Sequence, residues 1–474
     1  MMQKWIKTPG PWRPGSWRRA RKLGPAALVL FTACASWGRA RSECHIKAAD
    51  FYGWKAQEMS NRWVKLTVVP QLAGRVMQVS FGGHEYLFVN NELKGRYYPP
   101  EVSEKERKWF NYGGDKIWPM PEGNDDEQHW AGAAGAVLDS GPFSFSVLSP
   151  GDGCAVRLVG PPDPQIGEQY IREISIGSNS PEIFFKSIMK NTTGYPLRWS
   201  EQTVSQYNAA DPANPTDYNH DFWGFTSANS DSQYLNSYYV RTGSGANRSY
   251  QVRDGLFTLH WSNIGGEVWI DSPGGWVAIV DGRTGYTMVE RFHYKPGAEY
   301  PGKATVIFFT TGQRNPPSEA SPPHPIHYME AEINSPVVEL APGESYSMET
   351  EWFPTRMGSD FKACTYAGVV GAPVTASVTA GGLLLAGKFG VFFPGRLVAR
   401  LYDRGGMSLG TVLLAAVNPL EPIALNSTLQ APAETARVSV HLVDSAGLDR
   451  GPLGETQVVP PPPHSPDTSQ WGGK

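Results

Sequence analysis

From Cys44 to Trp352 apolar and polar residues alternate in short runs, most of them closed by Gly, Pro, Asn or Asp. RWVKLTVVP, GRVMQVSFGG, EYLFVN, CAVRLVGP, EIFFKSIMKN, EVWIDS, WVAIVDG and ATVIFFTT are of this kind. Period-two alternation bounded by turn residues predicts strands. Helical periodicity is confined to a turn or two, as in SEKERKW. So many strands over roughly 315 residues favour a large two-sheet sandwich over a small barrel. After Pro354 the pattern changes. From Ala363 the aromatics thin out and small residues dominate, as in APVTASVTAGGLLLAGKFGVFF and ARVSVHLVDSAG. Turn signals there recur about every ten residues, which predicts a small immunoglobulin-like sandwich. The chain therefore divides into a leader (1–43), a large sandwich (44–360), a small β-sandwich (361–458) and a Pro-rich tail (459–474) expected to be disordered.

Composition agrees with an all-β protein. Of 474 residues, 51 are Gly and 40 Pro, and 18% are charged. The net charge of −3 conceals an asymmetry: nine of the 42 Lys/Arg and one of the 45 Asp/Glu lie in residues 1–43, leaving −11 for the remainder. A body that acidic excludes nucleic acid as a partner. The basic start belongs to export. Arg18, Arg19, Arg21 and Lys22 precede the uncharged run LGPAALVLFTACASWG, which is too short for a membrane span and is flanked like a signal peptide. Phe31-Thr32-Ala33-Cys34 approximates a lipid-attachment box, so a lipoprotein leader anchored at Cys34 is the alternative to simple cleavage. Either way the protein leaves the cytoplasm. The other cysteines, Cys44, Cys154 and Cys364, have no metal-ligand spacing and are read as isolated half-buried thiols.

Three stretches could carry chemistry. NYGGDKIWPMPEG sets Asn111, Asp115, Lys116 and Glu122 around Trp118 after a tight Gly-Gly turn. An aromatic face beside fixed polar groups suits a sugar ring, though an Asp–Lys brace beside a core Trp reads as well. LRWSEQTVSQYN places Glu201, Gln202 and Gln206 within a Trp-containing strand, where buried polar groups need partners from neighbouring strands or a ligand. HYMEAEINSPVVELAPGESYSMETEW places Glu330 and Glu332 two apart in a strand, hence on one face. A solvated face is the bland explanation, yet the flanking HYM and INSPVVEL are not solvent-face sequence. Like carboxylates so placed raise one another's pKa, an arrangement suited to acid–base work. Nucleophilic Ser, phosphate-loop, dinucleotide and zinc-type His motifs are absent, so neither a cofactor nor a metal is expected.

In this order the stretches resemble the galactose mutarotase-like superfamily, and within it the bacterial group called domain of unknown function 4380. The resemblance covers about residues 44–354. It implies a β-supersandwich whose concave face binds a sugar. VVPQLAGRVMQVSFGGHEYLFVN, with Arg75, is similar to the opening strands, and NYGGDKIWP to the loop that contributes to the sugar site. YMEAEINSPVVELAPGE is similar to the late segment that carries the catalytic Glu. On that match Glu330 takes the general base's position and Glu332 that of a nearby polar ligand. Arg75, Asn111, Asp115, Lys116, Trp118, Glu122, Gln202 and Gln206 join Glu332 as sugar ligands. The superfamily's acid is a His, and none stands in RWSEQTVSQYN or NYGGDKIWP. Glu201 is the substitute acid on this reading. Three functions remain open: a sugar-active enzyme (epimerase-like, hydrolase or lyase), a carbohydrate-recognition protein without catalysis, and a structural role at the cell envelope.

Overall fold

The computed structural model describes residues 44–123, 129–149, 152–243, 249–262, 264–312 and 326–459. The leader, Cys34 and the tail beyond Val459 lie outside them. The described chain is built from strands, with helices reduced to short pieces such as Pro100–Glu106. That helix starts ahead of the SEKERKW run because Pro100 opens its first turn. Arg107, in the left-handed conformation, ends it.

Seven strands position the candidate residues. They are β1 (Arg75–Phe81), β2 (Asp115–Met120), β3 (Leu197–Asn208), β4 (Tyr239–Thr242), β5 (Gly266–Ile270), β6 (Val306–Thr310) and β7 (Tyr328–Asn334). In space they run β1-β2-β3-β7-β6-β5-β4 within a twelve-stranded sheet, whose other edge is His45–Phe51. A ten-stranded second sheet packs on it, and residues of both form one core that includes Val79, Ile174, Ile183, Phe308, Ile333 and Trp352.

Alternation in β7 fixes its register. Met329, Ala331 and Ile333 are fully buried in the core between the sheets, while Glu330 and Glu332 take the opposite face. A slip by one residue would drive both carboxylates into that core, so register is strongly specified. EYLFVN, by contrast, yields isolated bridges, Leu87 with Tyr207 and Val89 with Gly113, after the short strand His84–Glu85.

The second sheet is covered twice. In WVAIVD, Val277 and Ile279 face the first sheet, whereas Ala278 and Val280 join a separate core with the C-terminal lobe. That double burial is why the run reads as continuously apolar rather than alternating. The C-terminal lobe holds seven strands in one hydrogen-bonded path, with the short Ala363–Cys364 strand beside it. Its last strand, Asp449–Val459, runs parallel to Gly368–Thr379 through the pairs Ala376–Val458 and Ser377–Val459. Phe353 of the second sheet stacks on Phe392 of the lobe at 4.6 Å between centroids.

The cysteine expectation needs correcting. Cys44 and Cys154 form a disulfide, with Cα atoms 5.6 Å apart across a sequence separation of 110. Their spacing gave no hint, because the pairing depends on the two sheets meeting along one margin. Only Cys364 keeps a free thiol among the described residues.

Candidate functional site

Cross-strand register assembles the site on the face of the first sheet turned away from the second. Residues directly opposite in neighbouring strands share a face. Lys116 on β2 pairs with Val204 on β3, Val204 with Glu332 on β7, Glu332 with Ile307 on β6, and Ile307 with Trp269 on β5. A second row runs Gln206, Glu330, Phe309 and Glu267. Trp118, Gln202 and Asn334 form a third.

Glu330 is the centre of these contacts. Lys116 Nζ lies 3.3 Å from Glu330 Oε1, and Gln206 Nε2 donates to the same oxygen at 2.7 Å. Neither bond falls on Oε2. Glu330 keeps 6% of its surface and Lys116 1%, so the pair is nearly dry. The ammonium also faces two indoles, 4.4 Å from the Trp118 ring centroid and 5.5 Å from that of Trp109, within cation–π range. Burial lowers the Lys116 pKa, and the Glu330 charge acts against that shift. Glu332, two residues along the strand, accepts from Gln202 Nε2 at 2.7 Å. Burial first, and the Glu330 charge second, push its carboxyl well above the usual range. Side by side stand one carboxyl group bonded to a cation and another that burial pushes toward its protonated form.

Behind the indoles, Asp139 fixes the wall. Its carboxylate accepts from Trp118 Nε1 at 2.9 Å, Trp109 Nε1 at 3.1 Å and Arg75 Nη2 at 2.6 Å. Arg75 is fully buried and also donates to the backbone carbonyls of Gly113 and Asp139. It therefore braces the wall and does not reach Glu330. Gly113 has φ +95°, and a Cβ there would meet the Phe88 carbonyl at 2.1 Å, so the Gly-Gly turn is required by close backbone approach. Asn111 leaves that turn and donates from Nδ2 to the Tyr328 hydroxyl at 3.2 Å. Glu122 is exposed, and its backbone carbonyl accepts from Arg241 at 3.3 Å.

Two expected ligands face the other way. Asp115, one residue before Lys116, points between the sheets and pairs with Arg172. Glu201, one residue before Gln202, also points into that layer, where Ser187, Arg172 and the Met348 backbone surround it. Its placement there corrects the expectation of a second carboxylate beside Glu330, because period-two alternation sends neighbouring residues to opposite faces. No hydrogen bond of normal geometry reaches either Glu201 oxygen, and burial pushes the carboxyl up to about 8.

Sequence reasoning missed Trp109, Asp139, Arg241, Glu267 and Trp269. For the last two a signal existed: in EVWIDS, Glu267 and Trp269 alternate onto one face, as Glu330 and Glu332 do. Arg241 Nη1 bonds Glu267 at 3.2 Å and its guanidinium covers Trp269 at 5.1 Å. Asp139 sits in a single helical turn, Val137–Ser140, with no pattern to mark it. Among the described residues no group of three His, Cys, Asp or Glu could hold a metal ion. Nor is any helix there long and apolar enough to cross a membrane.

No family model and no curated protein matches the sequence, so the narrower group named from the sequence gains no support. Similar solved structures include a galactose mutarotase-like protein from Clostridium acetobutylicum, at 11% identity and TM-score 0.42, covering 66% of this chain and 99% of that one. Another from Lactobacillus casei has 10% identity and TM-score 0.39, covering 63% and 99%. A TPR-domain containing protein from Parabacteroides distasonis has 16% identity and TM-score 0.43, covering 64% of this chain. This chain spans only 47% of that protein's length. At this similarity none of them transfers a substrate or a reaction.

Proposed function

We propose that the outer face of the first sheet binds a carbohydrate, with Glu330 as general base and the neutral Glu332 as acid. The observation that carries this is the pairing of two carboxyl groups with unlike surroundings on one strand beside Trp118. Lys116 pairs with Glu330, whereas burial and the neighbouring Glu330 push the Glu332 carboxyl well above the usual range. Groups whose environments drive their protonation apart are how one site supplies both an acid and a base near neutral pH. Glu330 Oε2, free of both bonds, is the oxygen that would take a sugar hydroxyl proton. Trp118, partly exposed, offers its ring to the C–H face of a pyranose. Glu332 takes the place that the sequence resemblance gives to a His and that Glu201 cannot fill.

Recognition without turnover is the second reading. It is favoured by the Lys116–Glu330 contact itself, since a carboxylate already bound to a cation is a weaker base. Calorimetry and anomer-exchange NMR on a panel of neutral sugars, wild type against Glu330→Gln and Glu332→Gln, separate the two. Catalysis requires turnover that both variants abolish. Binding weakened by either variant, with no turnover in wild type, supports recognition. A sugar bound and processed equally by all three proteins would exclude this face as the site.

Export belongs to the same proposal. The Cys44–Cys154 bond supports it, because disulfides persist in oxidising compartments. We expect the leader to be removed before Cys44, and mass spectrometry of the native protein reads the new terminus. A diacylated Cys34 would establish the lipoprotein alternative, and retained Met1 would refute export by this route.

A further inference from the structure

Two residues along β3 and β7 from the Gln206–Glu330 pair, Asn208 lies opposite Tyr328. That displacement is roughly 7 Å at the rise of an extended strand, about one sugar ring. Phe88 stacks on Tyr328 there, with centroids 4.9 Å apart. Beyond this stack opens a cleft of about 180 Å³, lined among others by Tyr52, Phe88, Asn91, Lys94, Asn208 and His327. Drug-sized and cofactor pockets run from about 300 Å³ upward, so this one suits a single small ring.

The lining has the chemistry of a polyol site. Lys94 Nζ stands 3.6 Å over the centroid of the half-exposed Tyr52 ring. Asn208 accepts from the Ala210 N–H through Oδ1, which leaves its amide hydrogens to donate. His327 is 7% exposed, and burial lowers its pKa, so the imidazole is neutral. Its Nε2 lies 3.4 Å from the Thr216 carbonyl and must carry the hydrogen, because a carbonyl only accepts. Nδ1 is then a buried acceptor with no partner. The ring itself lines the cleft. Glu85 also lines the cleft and opposes the Lys94 charge, which disfavours a phosphate or a uronate.

We infer that this cleft is a second sugar subsite, so that the ligand is a neutral oligosaccharide of at least two units, one facing Glu330 and the next beyond the Phe88–Tyr328 stack. The inference rests on the Glu330 face being a sugar site.

The test is calorimetry with gluco-, xylo- and manno-oligosaccharides of one to six units. Wild type is compared with the double variant Lys94→Met/Asn208→Ala and with Glu330→Gln. Thermal unfolding of each variant checks that it is folded. We expect wild-type affinity to rise about tenfold from one unit to two. In the double variant that ratio should fall to near one, and Lys94→Arg alone should retain it. Equal affinity for one and two units in wild type would overturn the subsite. So would a ratio unchanged in the double variant. If Glu330→Gln still weakens binding in either case, the Glu330 site survives while the subsite falls. If wild type binds none of these sugars, both fall.

Discussion

Lys116 and Glu330 meet across an intervening strand. β3 lies between β2 and β7, yet the two side chains reach over it to within 3.3 Å on one face. Removing the cation should therefore cost more than a surface pair would. Lys116→Met leaves the nearly dry Glu330 carboxyl without its cation, and we expect a loss of about 3–5 kcal/mol in denaturant unfolding. Glu330→Gln should be milder, because burial already eases loss of the Lys116 proton. In a double-mutant cycle, adding Glu330→Gln to Lys116→Met should recover most of the loss. Additive losses would mean the pair is not coupled.

Glu201 gives a pH signature. Burial raises its carboxyl from 4.5 to about 8. Between those values the unfolded chain releases a proton that the folded chain keeps, so stability falls as pH rises through that window. The slope is about 1.4 kcal/mol per pH unit for one such group. Glu290, also raised to about 8, adds to it. His84, lowered to about 4, acts in the opposite sense, since its contribution is present above 6.5 and lost as pH falls through 4. The difference between wild type and Glu201→Gln isolates the first term. The variant should gain on wild type steadily from pH 5 to 8. A constant difference would refute the assignment.

The Cys44–Cys154 bond closes a loop across a separation of 110 residues. Bonds of this kind stabilise by about 2–4 kcal/mol. Reductant or Cys44→Ser should lower the thermal midpoint equally, whereas Cys364→Ser should keep the wild-type response to reductant, because Cys364 is outside the bond. Alkylation of all of Cys44, Cys154 and Cys364 in the unfolded, unreduced protein would disprove the bond.

Residues 361–458 carry their own sheet but share an apolar interface with the second sheet. We expect the isolated fragment to keep its strand signal by circular dichroism while binding a hydrophobic dye through uncovered Phe392. In the full chain Phe353→Ala should cost about 3–5 kcal/mol, since Phe353 is 2% exposed in that interface. A fragment without strand signal would show that the lobe depends on its neighbour.

The strands were legible because alternation and Gly or Pro punctuation are local. MEAEIN announced both its register and the shared face of its two carboxylates. What stayed hidden was set by neighbours distant in sequence. That Lys116 and not Asp115 meets Glu330 depends on which face of β2 turns outward, and the sequence of DKIWPM is compatible with either. Asp139, which binds both indoles, comes from a turn whose importance arises only when β2 lies beside it. Glu201 failed for the same reason: parity along β3 was readable, but not which parity faced the ligand.

The parallel pairing of Ser377 with Val459 joins the beginning of the C-terminal lobe to its end. Its closure therefore waits until every earlier strand of the lobe has been synthesised. Until Val458 and Val459 have been synthesised, the edge beside Ala376 has no partner and the lobe's apolar interior remains open. Such non-local closure slows folding. A chain halted before Asp449 would present an unpaired edge beside Ala376, and proteases or aggregation would find it first.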